Sequence, residues 1–170
     1  KPAGIDIETD PVAVLKLITS ENHAADDRSG IRFIKHHLKG LTLTDPLGVQ
    51  SSGLIVLTQN WRVARKLSTD AARLEQEFIV EVSGEISPEV LEQLNKGITV
   101  NGSLLPVKAS LQNETRLRFA VKGNQRSQIA RLCETAGLSV RAMKRIRIGR
   151  LPMSSLAAGQ WRYLLGYEQF

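Results

Sequence analysis

Hydrophobic and polar positions switch period several times along the chain, and each switch predicts an element. Val12–Ile18 (VAVLKLI) reads as a short helix, and the polar stretch from Glu21 to Gly30 reads as a loop. Leu41–Thr44 alternates like a strand before Pro46 and Gly48. Gly53–Thr58 (GLIVLT) is a short apolar run suited to a buried strand. Trp61, Ala64 and Leu67 then share one helical face. Glu77–Val82 (EFIVEV) is rich in strand formers. Ser87-Pro88 starts a helix: the serine oxygen accepts from orphan amides and proline fits the first helical position. Val90, Leu91 and Leu94 form its apolar stripe, and Gly97 ends it.

Asn101-Gly102 between two strand-like runs predicts a hairpin. Leu117, Phe119 and Val121 alternate as a half-buried strand. A helix is predicted over 127–136, with Ile129, Leu132, Cys133 and Ala136 facing the core and Gly137 beyond its end. Ser139–Ile148 alternates again, which puts Lys144, Ile146 and Ile148 on one face and Arg141, Arg145 and Arg147 on the other. Several strands with a few interspersed helices make an α+β chain with a mixed, mainly antiparallel sheet and flanking helices. Residues 1–170 are expected to form a single domain, with room for two lobes. Trp61 and Trp161 are expected to be packing anchors.

Composition narrows the function classes. With 42% hydrophobic and 24% charged residues, the chain is too apolar to be disordered. No apolar run is long enough for a transmembrane helix, and the polar, acidic start is no signal peptide, so no membrane partner is expected. The chain starts without an initiator Met, which leaves room for an upstream RNA-binding domain. Cys133 is the single cysteine, so a reducing, cytoplasmic setting is the simpler expectation. Three histidines and one cysteine give no metal-ligand spacing, and no cofactor is expected.

Of the net charge of +6, the segment 122–150 carries more than its share. It holds Lys122, Arg126, Arg131, Arg141, Lys144, Arg145, Arg147 and Arg150 against one acid, Glu134. Such a block suits phosphate backbones, because each neutralised phosphate releases a condensed counterion. These eight residues are the candidate RNA contacts, with Arg145 and Arg147 expected to set the salt dependence. His36-His37, beside Lys35 and Lys39, is either a further RNA contact or a solvated pair.

The stretches KPAG (1–4), SSGLIVLTQN (51–60), EQEFIVEV (75–82), SQIARLCETAG (127–137), KRIRIG (144–149) and GQWRYL (159–164) are similar, in order and spacing, to the bacterial ribosomal-RNA pseudouridine synthases of the small-subunit type. The resemblance implies a pseudouridine-synthase-like fold with a basic cleft across its sheet. It also implies RNA, ribosomal in this family, as the partner, and a monomer by default. The family reaction detaches uracil from ribose at N1 and reattaches it through C5, on a nucleotide flipped from its stack. It uses an Asp in Gly-Arg-Leu-Asp-x-x-(Ser/Thr)-x-Gly-Leu, an Arg that pairs with it, and a Tyr that stacks on the base.

An ungapped match puts the Asp position at Gly48 and the pairing Arg position at Ala130. Losing both avoids the cost of about 3–5 kcal/mol for one uncompensated member of a buried pair. The expectation is therefore an RNA-binding homologue with impaired or absent isomerase activity, a pseudoenzyme. Phe78 stands where the Tyr is usual, as a base-stacking face or as a core residue. Asp45 is the low-odds substitute for the missing acid; it needs three extra loop residues to reach the site, and its plainer role is turn chemistry before Pro46. Two alternatives stay open: an active synthase using Asp45 or another carboxylate, and a protein-interaction module with a basic face.

Overall fold

The computed structural model describes residues 1–170, Asn124 by its backbone. In chain order the strands are β1 (Thr42–Thr44), β2 (Ser51–Gly53), β3 (Val56–Thr58), β4 (Glu75–Ser83), β5 (Ile98–Val100), β6 (Ser103–Leu105), β7 (Lys108–Asn113), β8 (Arg116–Lys122), β9 (Ser139–Ile148) and β10 (Leu151–Pro152). The helices are α1 (Val12–Leu15), α2 (Trp61–Ser68), α3 (Pro88–Asn95) and α4 (Ile129–Thr135), with 3-10 turns at Lys35–Leu38, Ala71–Arg73 and Gly123–Gln128.

The main sheet runs β10-β9-β4-β8-β7, all antiparallel, and β2 joins the outer edge of β9 in parallel. This is the mixed, mainly antiparallel α+β architecture expected from the sequence. β4 is its backbone: burial alternates residue by residue from Glu75 to Ser83, and β8 and β9 flank it. Gln76, Phe78, Val80 and Val82 are its buried residues. The side chains of β4 and β8 pack with Leu94 of α3 and with Ile129, Leu132 and Cys133 of α4. Burial raises the Cys133 thiol to about 11, which makes it an inert core residue. Ser87 Oγ accepts from the Val90 amide at 3.2 Å, and Asn101 and Gly102 take left-handed φ of 50° and 77° in the β5–β6 hairpin. No helix among the described residues is long and apolar enough to cross a membrane.

The alternation of β9 departs from expectation. Glu77 faces Arg147 while Phe78 faces Arg145, so Ile146 is an extra residue in the ladder. A bulge of this kind breaks the period of two. Arg145 is therefore turned to the buried side together with Ile148, while Arg141 and Arg147 remain outside.

The aromatic side chains also depart from expectation. Phe78 is fully buried, opposite Phe119. It offers no free face to a base; it is a core residue. Trp61, expected to anchor packing, is 66% exposed. Trp161 does pack: its ring stacks on His23 at 4.3 Å and its Nε1 donates to Thr19 O at 2.7 Å.

Trp161 belongs to a knot that ties residues 19–29 to residues 161–163. Asp27 Oδ2 accepts from the Tyr163 amide at 2.9 Å and meets His23 Nε2 at 2.6 Å, and Asp27 Oδ1 accepts from the Ser29 amide at 2.8 Å. Burial alone would raise the pKa of Asp27, but the bonds from Tyr163, His23 and Ser29 outweigh it and hold the carboxyl well below the usual range. A depressed native pKa contributes stability above the ordinary carboxylate range, and the contribution is lost as pH falls. The gap in urea midpoint between the wild type and Asp27→Asn should therefore shrink from neutral pH to about pH 3. Phe78→Ala should lower the unfolding free energy by about 3–5 kcal/mol in urea titrations, as loss of a core ring does.

Candidate active site

β1 ends in a sharp turn, because Asp45 has a left-handed φ of 38°. The buried Thr44 anchors the strand by donating from Oγ1 to Val56 O at 2.8 Å. A non-glycine residue held in this region marks local strain, which concentrates at functional sites. The turn aims the Asp45 carboxylate at the start of β4 and at β9.

Two guanidinium groups meet it there. Arg145 Nη1 donates to Asp45 Oδ2 at 2.9 Å, and Arg126 Nη1 pairs with Oδ1. Gln76 Nε2 donates to the same Oδ2 at 2.6 Å. Arg145 is itself fully buried, and its other donors are used: Nε to Leu54 O at 2.8 Å and Nη2 to Asp45 O at 3.0 Å. Burial draws the Arg145 guanidinium down to about 10 against the opposing pull of Asp45. Arg126 Nη2 donates to Pro46 O at 2.8 Å. The Asp45 side chain is 14% exposed and that of Arg126 25%, so the Oδ1 side is the more open one.

Two close approaches build this cluster. A Cβ on Gly53 would lie 2.2 Å from Arg145 O, so only glycine lets β2 pair this tightly beside Arg145. A Cβ on Gly123 would lie 2.2 Å from Ala71 O, so glycine also seats the 3-10 turn that carries Arg126.

The carboxylate that meets the arginines is not at the position the ungapped match singles out. A Cβ at Gly48 would face Glu8 Oε2 at 3.6 Å, with neither arginine within contact. The carboxylate against the cations is Asp45, three residues earlier. Lys1 holds the segment after Asp45: its Nζ donates to the carbonyls of Gly48 (3.1 Å), Val49 (3.1 Å) and Ser51 (2.6 Å). Burial pulls the Lys1 ammonium below its usual pKa, while Glu8 and Asp6 act against that shift. Ala130, the position of the family's pairing arginine in the ungapped match, lies half-buried on α4, and the arginines that pair with Asp45 are Arg126 and Arg145.

The basic segment divides in two. Lys122, Arg131, Arg141, Lys144 and Arg150 are exposed and suited to phosphate. Arg126 and Arg145 are committed to Asp45, and Arg147 to Glu75 (2.5 Å) and Glu77 (2.9 Å). Burial works against the charge of Arg147, but Glu77 and Glu75 raise its pKa overall. Arg145 and Arg147, expected to set the salt dependence, are thus already paired with carboxylates of the same chain. Gln76, Lys1 and the pairing role of Arg126 escaped the sequence reading; the KPAG stretch was the one signal that pointed at Lys1. A cavity of about 630 Å³ adjoins this cluster: Lys1, Gly53 and Leu54 line it together with residues from 14–41, β3 and 151–164, and Asp45 does not line it.

With Arg145 fully buried and Asp45 14% exposed, removing one partner is costly. Arg145→Ala should lower the unfolding free energy by about 3–5 kcal/mol. Arg131→Ala, at an exposed position, should change it by less than about 0.5 kcal/mol. Urea titration of both variants checks this.

No family model matches the chain. Over 124 residues, 67% of its length, it is 35% identical to an Arabidopsis thaliana chain bearing the name of a chloroplastic ribosomal large subunit pseudouridine synthase, of which it covers 30%. Over 145 residues, 84% of its length, it is 29% identical to the dual-specificity RNA pseudouridine synthase RluF of Escherichia coli, of which it covers 49%. Over 136 residues, 78% of its length, it is 24% identical to the ribosomal small subunit pseudouridine synthase A of Vibrio cholerae, of which it covers 59%. The chain thus spans about half the length, or less, of the first two relatives. A crystal structure of a pseudouridylate synthase matches the fold with a TM-score of 0.64 at 19% identity, over 75% of this chain and 57% of that one. By these likenesses of sequence and architecture, the chain belongs to the bacterial ribosomal-RNA pseudouridine synthase family.

Proposed function

We propose that this chain isomerises uridine to pseudouridine in structured RNA, with Asp45 as its catalytic carboxylate. The observation that carries the reading is the Asp45 side chain held by Arg145, Arg126 and Gln76. The reaction breaks the bond between N1 and the ribose, forms one between C5 and the ribose, releases the C5 proton and leaves N1 to take up a proton from solvent. It needs a carboxylate fixed beside the sugar. Bonds to Oδ2 from the buried side and to Oδ1 from Arg126 fix this one in orientation before substrate arrives, and such preorganisation lowers the barrier. The names of the relatives favour ribosomal RNA as the substrate. The exposed Lys122, Arg131, Arg141, Lys144 and Arg150 supply phosphate contacts.

The inactive reading rested on Gly48 and Ala130. Its premise weakens once a carboxylate and its arginines stand together at other positions.

Ribosomal RNA labelled with tritium at uridine C5 separates the two. The protein should release tritium, and Asp45→Asn should cut the rate about 100-fold or more. Binding without release would favour the inactive homologue, and release that survives Asp45→Asn would remove Asp45 from the chemistry. Affinity should fall as salt rises, and Lys144→Ala should reduce that slope by about 1.

A further inference from the structure

The segment 122–150 is not the sole basic stretch. Residues 28–69 hold Arg28, Arg32, Lys35, Lys39, Arg62, Arg65 and Lys66 against one acid, Asp45, and Asp45 is already paired with arginines from the other segment. The fold gathers part of this second set on one surface. Gln59 Nε2 donates to His37 O (3.0 Å) and Lys39 O (2.8 Å), which clamps the Lys35–Leu38 turn against the start of α2. Asn60 caps that helix by accepting from the Arg62 amide at 2.9 Å. Trp61 follows, 66% exposed, with the Arg62 guanidinium 5.5 Å from its ring centroid. Arg65 lies one turn further along the same face, and Lys35, His36, Lys39, Arg62, Arg65 and Lys66 are all exposed. Among the described residues, none of Lys35, His36, Lys39, Arg62 and Arg65 makes a salt bridge with a carboxylate, while Lys66 Nζ donates to Phe170 O at 2.9 Å.

A large aromatic ring left in water costs apolar exposure and contributes nothing to the core. Its flat face among unpaired cations is complementary to an unpaired base flanked by phosphates. A lipid surface fits less well, because the exposed positions of α2 are otherwise Arg62, Arg65, Lys66 and Ser68, with no apolar face to insert. We propose that Trp61, with Arg62, Arg65 and Lys39, forms a second RNA-contact surface that stacks an unpaired nucleotide outside the isomerised one. This rests on the reading of RNA as the substrate and extends it to a flanking single strand.

The test is fluorescence anisotropy with a short labelled oligouridine and a blunt RNA duplex of the same length. Trp61→Ala should weaken oligouridine binding about fivefold or more, and duplex binding should stay near the wild-type value. Trp61→Phe should retain most of the affinity. Arg65→Ala should lower the salt slope for oligouridine by about 0.7. Thermal unfolding of Trp61→Ala should match the wild type, since the ring is exposed. The proposal is overturned if Trp61→Ala binds oligouridine normally, or loses both probes equally. Binding to phosphatidylserine vesicles that Trp61→Ala abolishes would also overturn it, in favour of a membrane contact. Failure of the wild type to bind either RNA would instead overturn the RNA reading itself.

Discussion

A guanidinium taken wholly out of water has to find every partner inside the protein, and Arg145 organises the site by doing so. Its donors reach the Asp45 carboxylate, the Asp45 carbonyl and the Leu54 carbonyl. These lie at the end of β1 and just ahead of β3, while Arg145 itself sits on β9. One side chain thus joins the small β1–β3 pair to the main sheet. A buried ion pair adds little net stability against an apolar replacement of equal shape, but breaking it is expensive. The arrangement therefore reads as a device for holding the acid still, with stability left to the core around Phe78 and Phe119.

Much of the framework was legible because it follows simple periods. The alternation of β4 and β8, the Ser-Pro start of α3 and the Asn-Gly turn each depend on neighbours within a few residues, and each forms as the pattern implies. The site was less legible because it depends on two breaks in period. The bulge at Ile146 moves Arg145 inward, although strict alternation groups it with Arg147. The left-handed turn at Asp45 redirects a residue whose sequence context, just before proline, suggests a plain loop. Neither break has a local signature, since both are enforced by partners far along the chain. Trp61 departs from expectation, and the sequence leaves Phe78 open between a base-stacking face and the core, for a similar reason. An isolated aromatic on a short helix or strand does not say which side faces the core, and the packing decides.

The sorting of basic residues carries a related lesson. Charge counted along a segment overstates what is available to a ligand when the fold spends some of it internally. Of the eight cations in 122–150, three are bound to carboxylates of the same protein. The seven in 28–69 include a group with no acidic partner, and they stand beside an exposed indole.

The ammonium of Lys1, threaded among the carbonyls of residues 48–51, bears on how related chains are sorted. It ties the path of the main chain after Asp45 to a side chain far away in sequence. Column-by-column matching puts glycine at the family's acid position and says nothing of a carboxylate three residues earlier that meets two arginines in space. Sorting related chains by this feature means asking where an acid ends up in space as well as in which column it is written.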